Sequence, residues 1–130
     1  MPEPAPDASA TSALAMAAAL AGMAALHFLV PKPFDKLIPP ELPGEPRTWT
    51  LASGVTELAT AALVANPRTR RLGATLAVAL FVAVLPGNLQ MVRDSKDEPW
   101  PRRAIAWGRL PVQIPLIRWA LQVRRSSKTH

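Results

Sequence analysis

Between Asp7 and Lys32 the chain carries no aspartate, glutamate, lysine or arginine. The stretch Ala10 to Val30, "ATSALAMAAALAGMAALHFLV", holds about the 20 residues that an α-helix needs to cross a hydrocarbon core. A second such run extends from about Leu72 to Val92. Neither shows a polar stripe along most of its length, as the surface helix of a water-soluble bundle must. A bilayer is therefore the expected solvent, and the remaining sequence has to be arranged around these two runs.

Charged residues make up only 18% of the chain, against roughly 25% in soluble proteins, and they cluster at the ends and in three connecting stretches. The net charge is +6, but its basic residues form short groups flanking apolar runs ("RTRR", "PRR", "RR…K"). Such groups anchor to lipid headgroups, and without a basic stripe interleaved with aromatics no nucleic-acid partner is expected. The absence of cysteine excludes disulfides, thiol catalysis and cysteine-ligated metal or iron–sulfur sites within this chain.

These features predict an all-α, four-span transmembrane helix bundle. Residues 1–9, acidic and Pro/Ala-rich, read as a disordered tail, and they lack the basic n-region of a cleaved signal. The membrane domain is expected over residues 10–123, with spans at about 10–30, 48–65, 72–92 and 104–123, followed by a basic tail at 124–130. Alanines and Gly22 in span one recur at a spacing that admits a close helix neighbour (Ala18/Gly22, Ala17/Ala21/Ala25). The connector "PKPFDKLIPPELPGEPR" contains six prolines and reads as an interfacial loop, in the headgroup region or folded back over the bundle, with a turn at Leu-Pro-Gly. "NPRTRR" joins spans two and three as an antiparallel hairpin, and Pro86 and Gly87 predict a kink or local unwinding in span three. "RDSKDEPWPRR" reads as a polar loop. Span four carries Arg109, Gln113, Arg118 and two prolines, so a helix lying on the surface is its alternative. The tight basic turn and the basic tail place both termini on the cytoplasmic side.

Glu57 stands alone among small and apolar residues in "SGVTELATAALVAN", on a stripe formed with Thr50, Ser53 and Thr60. At about 13 Å below Thr48 it is expected near mid-membrane, where a carboxylate needs a partner, a proton or a wet pocket. In an up-down bundle the ends of spans one and three meet the starts of spans two and four. A polar pocket is thus expected from His27, Ser53, Glu57, Asn88, Arg109 and Gln113, with Glu57 and Arg109 as its charge pair. Such a pair also serves as structural glue between helices, and His27 taken singly reads as a structural residue. One histidine and one glutamate fall short of a metal site, and His130 sits on the tail, so no metal is expected.

The segments "HFLVPKPFDKLIPPELPG", "WTLASGVTELA", "NPRTRRLGA", "LPGNLQM" and "RLPVQIPLIRWA", in this order and spacing, resemble the DoxX-like family of small four-helix membrane proteins. The resemblance spans Leu26 to Ala120. It implies a polytopic protein of a bacterial, and from its Ala/Arg/Pro richness actinobacterial, plasma membrane, with His27, Glu57, Asn88 and Arg109 at the pocket. Within that family some members are linked to quinone-coupled oxidation of thiosulfate, others to membrane redox complexes, and a distant animal relative to receptor assembly. The expectation is a non-catalytic subunit of a membrane redox or stress-related complex that binds a quinone or similar lipid-soluble ligand. No residue here carries electrons, so a membrane or membrane-associated redox partner would have to. A scaffold without a small-molecule ligand, and a transporter of a small solute or protons, are the alternatives.

Overall fold

The computed structural model describes residues 8–127, so the expectations for residues 1–7 and 128–130, His130 included, lie outside the described residues. All regular structure in the described residues is helical: α1 (Ala8–Leu29), α2 (Pro31–Asp35), α3 (Pro46–Ala65), α4 (Arg70–Ala83), α5 (Leu85–Ser95) and α6 (Trp100–Ser126). Two stretches, Ser9–Leu29 and Arg70–Ser95, are long and apolar enough to cross a membrane.

Several boundaries differ from the expected ones for identifiable reasons. Ala8 and Ser9, assigned to the tail, already belong to α1. The polar loop expected over 93–103 shrinks, because α5 runs to Ser95 and α6 begins at Trp100 with Pro101 in its first turn, where a missing N–H costs nothing. α6 continues through Pro111 and Pro115 to Ser126, taking in the first residues of the basic tail. The predicted break in span three falls at Val84, between α4 and α5. Pro86 has no N–H for the carbonyl four residues before it, and the Gln113 side chain donates to the neighbouring Phe81 carbonyl at 2.7 Å. The turn at Leu-Pro-Gly forms with Gly44 at φ 83°, in the left-handed region open to glycine.

The four long units form a ring. α3 packs along α1 and α4, and α6 packs along α4 and α5 and only lightly on α1, leaving α3 and α6 on a diagonal. One half of the bundle is filled by Ala13, Met16, Ala17 and Leu20 of α1, Ala61 and Val64 of α3, Ala74 and Ala77 of α4, and Ala120 and Val123 of α6. With so many alanines, the helices must approach closely to exclude voids. The tight approach is not at the Ala18/Gly22 spacing, since Gly22 faces open space. It is at Gly73, where an added Cβ would lie 2.5 Å from the Val64 backbone nitrogen. Thr69 Oγ1 donates to the Leu63 carbonyl at 2.8 Å, and Arg70 donates to the carbonyls of Val64 and Ala65. The last carbonyls of α3 are thereby satisfied inside the hairpin turn.

Gly73→Ala should destabilise the fold by about 2 kcal/mol, because backbone atoms rather than a pliant side chain block the new methyl group. Gly22→Ala should be neutral or slightly stabilising, since alanine favours the helix. Thermal unfolding of the two variants should give midpoint shifts of different sign or size; equal shifts would contradict the close approach at Gly73.

Candidate functional site

The polar stripe of α3 faces inward. Thr50, Glu57 and Thr60 are buried and Ser53 is half-buried, while Leu51, Val55 and Leu58 on the other face are exposed. This amphipathicity is reversed relative to a helix on a soluble protein. Glu57 Oε1 lies 3.3 Å from His27 Nε2. Gly54, one turn before Glu57, makes this approach possible, since a Cβ there would come within 3.1 Å of His27 Cβ and 3.0 Å of Phe28 Cζ.

The proton count of this pair follows from its neighbours. His27 Nδ1 is 2.7 Å from the Met23 carbonyl, which only accepts, so Nδ1 carries hydrogen. Nε2 and Oε1 at 3.3 Å then need one proton between them, held either by imidazolium facing carboxylate or by carboxylic acid facing imidazole. The other carboxyl oxygen, Oε2, is buried with no hydrogen-bond partner. Such an atom costs desolvation without return unless a donor reaches it.

The connector closes over the pair. Phe34 stacks on the His27 ring with centroids 4.0 Å apart. Asp35 clasps the start of α3: its Oδ1 accepts from Thr50 Oγ1 at 2.6 Å and its Oδ2 from Arg47 Nε at 2.9 Å. Arg93 of α5 donates to Glu41 at 2.8 Å, and Trp49 Nε1 to the Pro43 carbonyl at 2.7 Å. The connector is therefore folded back over the bundle end. The Thr50 hydroxyl, with Arg47 beside it, holds the Asp35 carboxyl below its ordinary 3.8. Glu41's own backbone N–H and Arg93 do the same for Glu41.

Of the six residues expected in one pocket, the contact formed is between two. His27 and Glu57 meet. Gln113 is buried but spends its amide on the Phe81 carbonyl, and Asn88 is buried on α5. Arg109 is exposed and reaches the Met91 sulfur at 3.5 Å, so the expected Glu57–Arg109 pair is not formed. The reason is topological, since the diagonal between α3 and α6 separates them. Glu57 is also level with the last turn of α1 rather than its middle, because α3 begins about two turns beyond the end of α1, leaving room for α2 beside it. Sequence reasoning missed Gly54, Phe34 and Asp35. A glycine one turn from the lone acid was the available signal for the first; none existed for the others. Among the described residues no third His, Asp or Glu joins the pair to make a metal site.

Residues 16–124 match the family described as "Domain of unknown function (DUF8561)". The chain belongs to that family. The matched stretch includes His27, Glu57, the connector and the whole Asp35 clasp, so the pair and its cover lie within the DUF8561 domain. No curated protein and no solved structure matches the chain.

Two predictions follow from this geometry. Glu57→Gln should fold, because its amide can donate to Nε2 of a neutral His27, whereas His27→Ala strands the buried acid and should cost about 2–3 kcal/mol in denaturant unfolding. Similar losses for both would contradict the shared proton. Separately, the lowered Asp35 carboxyl contributes stability that is present above pH 3.8 and lost as pH falls through its lower folded value. Hydrogen exchange at residues 31–50, corrected for intrinsic rate, should thus rise on acidification below about pH 4. In Asp35→Asn it should be fast at every pH.

Proposed function

We propose that this chain is a four-span integral protein of a bacterial plasma membrane, with both termini cytoplasmic. It serves there as a non-catalytic subunit of a membrane redox or stress-related complex. The reversed amphipathicity of α3 carries the membrane part. A helix that hides threonines and a glutamate while exposing Leu51, Val55 and Leu58 suits lipid outside and polar contacts inside. α6, despite its arginines, likewise exposes Ile105, Val112 and Ile114. Only 33% and 22% of the two most apolar windows are buried, far less than for the core helix of a soluble protein.

The His27–Glu57 pair with its unsatisfied Oε2 is the candidate ligand site. A quinone or similar lipid-soluble molecule would offer a carbonyl to the protonated pair, and its reduced form a hydroxyl to Oε2. The resemblance to DoxX-like proteins points the same way. Phe34 on the His27 ring means that a ligand enters only when the connector moves. That same closure favours a second reading, in which the pair is structural glue and the protein a scaffold whose connector docks another subunit.

The test is purification in mild detergent from native membranes, followed by mass spectrometry of bound lipids and proteins, with Glu57→Gln in parallel. A quinone retained by the native chain and lost from the folded variant is the expected result. The same protein partner in both samples, with quinone in neither, would replace the redox-ligand reading by the scaffold.

A further inference from the structure

A cleft of about 380 Å³ lies on α6, lined by Ile114, Pro115, Arg118, Trp119, Gln122 and Arg125. These positions share one face of the helix. Along about 16 Å of it the lining grades from apolar, at Ile114 and Pro115, to cationic at Arg118 and Arg125. Trp119 Nε1 donates to Ser12 Oγ at 2.7 Å, which sets the indole as a fixed wall and brings Arg118 level with the first turns of α1. The cleft is thus at the opposite end of the bundle from His27 and Glu57. Arg124, next to Arg125, is held by Thr75 Oγ1 at 2.9 Å. By contrast, Arg118 and Arg125 have no ion-pair or hydrogen-bond partner for their guanidinium groups among the described residues.

We propose that this cleft binds the headgroup of an anionic phospholipid, a site that rests on the membrane-spanning reading above. The two guanidinium groups offer forked donors that match phosphate oxygens. Ile114 and Pro115 receive the start of an acyl chain, and the Trp119 ring lies at the boundary where indoles favour the interface. A free phosphate ion would use the arginines but gain nothing from the apolar half of the cleft. The graded lining therefore favours a lipid over the ion.

The full chain, purified in detergent, would be mixed with equal amounts of phosphatidylglycerol and phosphatidylcholine, and retained lipid counted by native mass spectrometry. Phosphatidylglycerol should be preferred. In Arg118→Gln/Arg125→Gln the preference should fall roughly thirty-fold, the scale expected for two basic side chains at a lipid surface. It should persist in Arg68→Gln/Arg71→Gln, which removes the same charge from the hairpin turn. The single variant Arg118→Gln, at an exposed position, gives the same reading if the double variant unfolds.

Equal falls in both double variants would replace the site by diffuse surface charge. Displacement of the lipid by millimolar inorganic phosphate would reassign the cleft to the free ion. Equal retention of the two lipids by the native chain would overturn the site while leaving the membrane reading intact. Release of the chain from native membranes by alkaline carbonate would overturn both.

Discussion

A carboxylate removed from water must hold a proton or face a donor, and Glu57 is nearly fully buried. Much of the bundle's upper half can be traced to this requirement. His27 supplies the partner, and its tautomer is set by the Met23 carbonyl one turn earlier on the same helix. The two side chains meet only because Gly54 lets α3 lie against the end of α1, and Gly54 reaches that level only because α3 starts well beyond it. The overhang in turn requires something beside it, and the connector fills the space with Phe34 over the imidazole and Asp35 bonded to Thr50 and Arg47.

The two ends of the molecule are built by different means. At the termini end the core is alanine with a few larger side chains, and cohesion comes from close helix contact, as at Gly73. At the connector end it comes from buried polar groups satisfied across elements: Thr50 to Asp35, Gln113 to the Phe81 carbonyl beside the Val84 break, His27 to Glu57. Oε2 of Glu57 is the buried side-chain atom left over from that set. A site for exchange of a proton or ligand is more readily made at this end, because an alanine core has no polar group to offer. Large apolar side chains are exposed on α1, α3 and α6 alike, on α6 side by side with exposed arginines.

The helices were largely legible, because their signals are local. Uncharged runs and Pro86 beside the break act within a turn or two of themselves, whereas α2 lies inside the connector expected as a loop. The inward stripe of Thr50, Ser53, Glu57 and Thr60 was legible for the same reason, since helical periodicity alone puts these residues on one face. The polar loop expected at 93–103 is shorter than its charges suggested, because residues 93–95 finish α5 and residues 100–103 open α6, leaving 96–99 as the turn between them.

Pairing was another matter. Glu57 faced candidates on three other spans, and composition favoured the arginine, the strongest charge partner available. Which one it meets depends on the order of helices around the ring and on their axial offset, and both are set by contacts between segments far apart in the chain. With α3 and α6 on the diagonal, Arg109 is out of reach and His27 is adjacent. The connector shows the same division. Its prolines forbid a continuous helix from sequence alone, but its fold back over the imidazole rests on Asp35, Glu41 and Phe34 finding Thr50, Arg93 and His27. Local propensity and solvent preference thus determine the helices and their buried faces; partners, depth and closure arise only when the packed helices bring distant residues within a few ångströms.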